Sequence, residues 1–291
     1  MNEATKKPGT LYVVATPIGN RDDLAPRARQ VLDAVHVIAA EDTRHTGRLL
    51  SHFGIDTPQI ALHDHNENQQ AEAIIARLVS GADVALVSDA GTPLVSDPGY
   101  RLVAEARAAG LAVSPLPGAS AVTAALSVSG LPTDRFAFEG FLPPRGEARR
   151  RRLRQLVSEP RTLVFLESVH KIDACVADLV AEFGADRLAF VGRELTKLHE
   201  QCVRATLGDI ADGLARGRIV KKGEFVLITA GAPSPSSDED DTQSYSVDEL
   251  LQELLAEMST AKAVRIAVRL TGQKRNRLYE RALELQSRQR D

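Results

Sequence analysis

Between residues 10 and 129, short apolar runs alternate with stretches whose apolar residues recur every three to four positions. Residues 11–15, 36–40, 59–62, 84–87 and 112–114 are the runs, each short enough for a strand and bounded by turn formers. Leu24, Ala28, Val31, Leu32 and Val35 fall on one face of a helix between the first two. Leu49, Leu50 and Phe53 mark a second helix, and Ile74, Ile75, Leu78 and Val79 a third. Further helices are expected over residues 98–109 and from about residue 119. Strands separated by helices in this rhythm predict a mostly parallel α/β sheet.

The string Ser129-Gly130-Leu131-Pro132-Thr133 interrupts that rhythm and predicts a boundary. Beyond it, residues 136–139, 162–166, 188–191 and 225–229 read as strands, with a helix over 171–183 among the helices between them. The expected organisation is an N-terminal α/β domain over residues 10–129 and a C-terminal α/β domain over 133–231. Residues 232–245, rich in Pro, Ser and acids, predict a flexible acidic linker. Ser246, Val247, Asp248 and Glu249 form a capping box ahead of Leu250, Leu251, Leu254 and Leu255. Two more helices parted by Thr271 and Gly272 complete a helical module over 246–291, helix-turn-helix in style.

Composition narrows the class. The chain has 291 residues, 43% hydrophobic and 26% charged, which suits a soluble protein of two or three units. A net charge of -3 provides no global field for a polyanion, so any nucleic-acid affinity must be local. Cys175 and Cys202 lie far apart, against a zinc site or a disulfide framework. Residues 1–7 lack the apolar run of a secretory leader, and no stretch is long enough to span a bilayer, so a cytoplasmic protein is expected. Neither GxGxxG nor GxxxxGK[ST] occurs, which disfavours the dinucleotide fingerprint and the P-loop.

Polar residues gather after the predicted strands. Thr16-Pro17-Ile18-Gly19-Asn20 follows the first, Glu41-Asp42-Thr43-Arg44 the second and His63-Asp64-His65-Asn66 the third. The longest such loop, residues 88–99, packs two carboxylates, two glycines, two prolines and several hydroxyls after the fourth. Pro115-Leu116-Pro117-Gly118-Ala119-Ser120 follows the fifth. In a parallel sheet all five loops emerge on one edge, where open α/β sheets bind ligands, so a pocket is expected there. Simpler roles compete: Glu41 and Asp42 suit a helix cap or a pair with Arg44, and Asp97-Pro98 suits an N-cap with proline at the first helical position. His63 and His65 have metal-capable spacing but too few companions, so no metal is expected.

Two basic patches stand apart. Residues 145–154 carry six arginines, Arg149, Arg150, Arg151 and Arg152 among them, against one acid. The C-terminal module carries Lys262, Arg265, Arg269, Lys274, Arg275, Arg277 and Arg281. A solvated helix face explains such runs; so does contact with RNA or DNA phosphates, which relieves the repulsion. Aromatic residues, at 4%, are too few for extensive base stacking.

The strings Leu11-Tyr12-Val13-Val14-Ala15-Thr16-Pro17-Ile18-Gly19-Asn20, Ala40-Glu41-Asp42-Thr43-Arg44, the 88–99 loop and Pro117-Gly118-Ala119-Ser120-Ala121 resemble the tetrapyrrole methylase superfamily, and within it the branch that modifies ribosomal RNA. Arg193-Glu194-Leu195-Thr196-Lys197-Leu198-His199-Glu200 and Gly223-Glu224-Phe225-Val226 extend the likeness, which runs from about residue 10 to 231. The resemblance implies the two-domain class III methyltransferase fold, S-adenosylmethionine held between the domains, and a homodimer. It implies 2'-O-methylation of a cytidine ribose in the decoding region of 16S ribosomal RNA, free or in the small subunit. By motif, Pro17, Ile18, Gly19, Asp89, Thr92, Ala119, Ser120 and Leu166 would touch the cofactor. Relatives of other specificity have a glycine-rich first loop, where this chain has Thr16-Pro17-Ile18-Gly19. A ribose hydroxyl is a poor nucleophile, so Glu41 or Asp42, with His63 as runner-up, is the expected base, and Arg44 would hold a neighbouring phosphate. The arginine run, Lys262, Lys274 and Arg275 would grip RNA outside the pocket. Two other readings remain: a same-fold enzyme acting on a small tetrapyrrole, and a non-catalytic ribosome-assembly factor.

Overall fold

The computed structural model describes residues 7–63, 65–233, 247–271, 273 and 275–288. Five strands, β1 (Thr10–Val14), β2 (Val37–Ala40), β3 (Gln59–Ala61), β4 (Val84–Val87) and β5 (Ala112–Leu116), form a sheet of order β3-β2-β4-β1-β5, parallel throughout. Every residue of β2 and β4 is buried, because helices cover both faces of a parallel sheet. Alternate residues of β4 feed two cores. Val84 and Leu86 pack with Ile74 and Leu78 of α3 (Glu67–Val79) and Leu102 of α4 (Tyr100–Ala108). Ala85 and Val87 pack with Leu32 of α1 (Pro26–Ala34) and Leu50 of α2 (Thr43–Phe53).

The chain leaves this sheet after α5 (Ala121–Ser129), which Gly130 closes in the left-handed conformation, φ 65°. A second sheet follows, built from β6 (Phe136–Phe141), β7 (Thr162–Ser168), β8 (Leu188–Arg193), β9 (Gln201–Thr206) and β10 (Glu224–Thr229) in the order β6-β7-β10-β8-β9. Only β6 and β7 run parallel; the other three pairings are antiparallel. Phe225 and Leu227 of β10 face a core shared with α6 (Gly146–Leu156), α7 (Ile172–Phe183) and α8 (Leu207–Ala215). Val226 and Ile228 face the other way, onto Val122, Ala125 and Leu126 of α5 together with Ile18. The last helix of the first lobe thus roofs the second sheet, and the two lobes form one compact unit, Met1–Ala232.

The second unit, Pro233–Asp291, has its own small core. Its helices α9 (Val247–Glu257), α10 (Thr260–Thr271) and α11 (Arg275–Arg288) bury Leu251, Val264, Ala267, Leu278, Ala282 and Leu285 together. Most of the expected acidic linker lies outside the described residues, as do Ser246 of the capping box, Gly272 and Lys274. Among the described residues no helix is long and apolar enough to cross a membrane.

Candidate active site

The loops leaving the C-terminal ends of β1, β2, β4 and β5 are tied to one another. Thr16 and Gly91 exchange main-chain hydrogen bonds of 2.9 and 3.0 Å, and the Thr16 hydroxyl donates to the Ser88 carbonyl at 3.2 Å. Glu41 Oε2 accepts from the Asp89 N–H at 3.2 Å, while Asp89 Oδ1 accepts from the Asp42 N–H at 3.1 Å. The Thr92 hydroxyl donates to the Ala119 carbonyl at 3.2 Å. β1 and β4 are hydrogen-bonded neighbours, so their loops emerge side by side and these ties complete a continuous rim.

Opposite the rim lies the second sheet, and between them a cleft of about 380 Å³. That size falls within the roughly 300–1,000 Å³ of small-molecule sites. Leu166, Val226 and Gly192 stand in one register row across β7, β10 and β8 and line it. Glu41, Asp89, Asp97, Glu167 and Glu224 line it too, and among the described residues no Lys, Arg or His does. Burial pushes Asp97 up to about 6, and the Glu41 and Asp89 charges add to the rise. The cleft therefore carries a concentrated negative field in a partly dry setting.

Backbone strain collects at the same place. Among the described residues the non-glycine positive φ values are Leu94 (73°), Ser96 (70°), Glu194 (50°) and Thr196 (65°). The first pair sits in the 88–99 loop, the second in the loop after β8, one on each lobe. Such conformations persist where surrounding structure enforces them, commonly at binding sites. The loop after β8 also touches the loop after β1: Asn20 donates its N–H to Thr196 Oγ1 at 3.1 Å.

Residues 10–211 match the family described as Tetrapyrrole (Corrin/Porphyrin) Methylases. The chain belongs to the tetrapyrrole methylase family. Residues 239–286 match a second description, the RsmI C-terminal HTH domain. Curated tetrapyrrole methylases similar to it include the Ribosomal RNA small subunit methyltransferase I of Xylella fastidiosa strain 9a5c, 54% identical over 94% of this chain and 98% of that protein. The Pseudomonas aeruginosa protein of the same name is 48% identical, covering 96% and 98%. The Escherichia coli O157:H7 protein is also 48% identical, covering 97% and 98%. Among solved structures, the methyltransferase CobJ superposes with TM-score 0.58 at 20% identity, over 77% of this chain and 95% of that one. Diphthine synthase does so with TM-score 0.57 at 16% identity, over 76% and 90%.

Within this tetrapyrrole methylase, Ile18, Asp89, Thr92, Ser120 and Leu166 line the cleft, as does Glu41. Pro17 and Gly19 line an adjoining cavity, and Ala119 anchors the Thr92 hydroxyl. Asp42 and His63 do not line the cleft. Asp42 caps α2, accepting from the Arg44 N–H at 2.8 Å, and its bonds to the Arg44 guanidinium hold its carboxyl far below the usual range. Arg44 itself is 86% exposed in that pair. His63 lies after β3, with its Nδ1 buried and without a partner among the described residues.

The arginine run needs correction. Arg149 is only 6% exposed and bonded to Asp178 at 2.7 Å, so it cannot reach a phosphate. Arg150 shares Asp178, Arg152 pairs with Glu139 and Arg154 with Glu182. Pairing with acids distant in sequence relieves the repulsion within this cluster, while Arg150, Arg151, Arg152 and Arg154 stay exposed. In the C-terminal module Arg281 is likewise engaged, by Asp248 and Glu284, whereas Lys262 and Arg275 are exposed. Two further expectations shift. Asp97 does not cap α4; Gly99 does, at φ 117°, which leaves the carboxylate lining the cleft. The edge strand β9 was not foreseen, its only signal the alternation of half-buried Val203 and Ala205 with exposed Cys202 and Arg204. Cleft residues missed from the sequence include Phe141, Gly192 and Val226, the last of which lies in the motif Gly223-Glu224-Phe225-Val226; Ser96 and Asp97 belong to the 88–99 loop expected to face the ligand.

Proposed function

We propose that the protein transfers a methyl group from S-adenosylmethionine to the 2'-hydroxyl of a cytidine in the 16S RNA of the small ribosomal subunit. The observation that carries this reading is the cleft between the lobes, acidic and without a lining cation among the described residues, in a chain whose relatives, at 45–54% identity, bear the name Ribosomal RNA small subunit methyltransferase I. The donor's sulfonium and ammonium are cations, and the five carboxylates lining the cleft are complementary to them. The donor supplies an electrophilic methyl group. Glu41, Asp89 and Asp97 would hold its charged end, while Leu166, Val226 and Ile18 would enclose its apolar parts and exclude water. Thr92, fixed on the Ala119 carbonyl, and Ser120 would position the adenosine.

In-line displacement depends on alignment, and well-held reactants can lower a barrier by about 7–11 kcal/mol. The rim hydrogen bonds that lock four loops together supply that rigidity. Of the three groups expected to accept the ribose proton, only Glu41 lines the cleft, so the proposal gives it that role. Asp42 is committed to Arg44 and the α2 N-terminus. The C-terminal module would hold RNA outside the cleft through exposed Lys262, Arg265, Arg269 and Arg275. A ribosomal substrate implies a cytoplasmic protein, and the resemblance implies a homodimer.

The test is to incubate the protein with methyl-labelled donor and unmethylated small subunits, naked 16S RNA or tetrapyrroles, then map the label. Label on a cytidine ribose of subunit or RNA is expected. Label only on a tetrapyrrole, or none with any acceptor, would overturn the reading.

A further inference from the structure

We propose that a second cavity, lined by Arg21, His45 and Arg48 and adjoining the acidic cleft, seats the phosphates flanking the target ribose. This inference rests on the proposed function and adds to it the place where the acceptor strand lies. The cavity measures about 310 Å³ and shares Ile18, Asp89, Ala90 and Glu224 with the cleft. The balance of lining charge shifts across that shared wall. The cleft presents carboxylates and no cation among the described residues; the cavity sets Arg21, His45, Arg48 and Lys197 beside the shared Asp89 and Glu224. Adjacent sites of contrasting charge balance suit two reactants of opposite charge, a cationic donor and a polyanionic acceptor.

Local structure explains the gathering. Asp42 starts α2 at the tip of β2, so His45 and Arg48, one turn apart, project along one helix face beside the rim. Arg21 follows the first loop and bonds His52 Nδ1 at 3.3 Å, which steers its guanidinium toward the same helix. From the other lobe the strained 194–196 segment presents Lys197. Lys197 is already neutralised by Glu194 at 2.8 Å and Glu224 at 3.0 Å, so it serves as wall. His45 and Arg48 have no acidic partner among the described residues, in contrast with the arginines of α6. Both are exposed, as is Arg21. Arg48 is thus a guanidinium free to take an anion, and phosphate accepts the arginine fork in two bonds.

The full-length Arg21→Gln/Arg48→Gln double variant tests this, with three readouts. Equilibrium binding of unmethylated small subunits, measured without donor across a salt series, should weaken about ten- to hundredfold. Its log–log salt slope should become shallower by about 1.4, two single-strand phosphate contacts at about 0.7 each. Donor affinity by calorimetry should stay within about twofold, and methyl transfer should show a raised KM for subunits. Unchanged subunit affinity and salt slope would overturn the inference. So would a parallel loss of donor affinity, which would assign the cavity to the donor. If the wild-type protein labels no RNA, the proposed function falls and this inference with it; wild-type labelling with an unaffected variant sinks the inference alone.

Discussion

Asp97 shows what one carboxylate does at the cleft. Its carboxyl ionises near 6 instead of near 3.8, because burial beside Glu41 and Asp89 disfavours the charge. Between those two values the folded chain keeps a proton that the unfolded chain has lost. Its contribution to stability is thus complete below 3.8 and is lost as pH rises through 6. At pH 7 the ionised group is a net cost, and Asp97→Asn should raise stability by about 1–2 kcal/mol, discounted for its half-exposed position, in denaturant titrations. The same variant should bind S-adenosylmethionine more weakly; equal or tighter binding would remove Asp97 from the site. Asp178 is the contrasting case, a buried acid serving the fold. Asp178→Ala strands Arg149 without its partner and should cost about 3 kcal/mol, whereas Arg151→Gln should stay within about 0.5. Both residues mark where sequence reading runs out. Asp97-Pro98 obeys the local rule for a helix start, and only tertiary packing reveals Gly99 in the capping position. Arg149 lies 29 positions from Asp178, so spacing within its own helix cannot show that it is paired.

At the scale of elements, the parallel sheet was legible because its central strands β2 and β4 are continuous apolar runs and its helices carry apolar stripes. The second sheet was less so. β9 is an edge strand carrying Gln201, Cys202 and Arg204, and its pairing with β8 comes from the hairpin, not from its composition. The five strand-end loops were legible as a set, but not how the second lobe closes over them. Gly19 marks that closure: a Cβ there would collide with the Lys197 side chain and the Thr196 hydroxyl, where the 16–20 loop meets the 194–200 loop. Gly19→Ala should therefore push the loops apart and lower donor affinity by about tenfold or more, with little change in overall stability, as calorimetry and thermal melts would show together. Wild-type donor affinity in this variant would mean that the contact does not shape the cleft.

At the scale of the molecule, the chain forms two units with separate cores, and the proposed function gives the second a share in gripping RNA. The α9–α11 module buries its own leucines and presents Lys262, Arg265 and Arg275 to solvent. Changing these three to Gln should weaken small-subunit binding and flatten its salt dependence, while donor binding stays unchanged. A parallel loss of both would instead report misfolding. The module's basic character was legible from sequence, but the withdrawal of Arg281 into a pair with Asp248 was not, since the partner stands on another helix. Calorimetric titration with S-adenosylmethionine between pH 5 and 8 tests the claim that the carboxylate-lined cleft holds a cationic methyl donor. One saturable site per chain is predicted, with affinity rising as Asp97 ionises near pH 6 and protons released on binding below that value. A folded protein that gives no saturable heat at any pH in this range would contradict the claim.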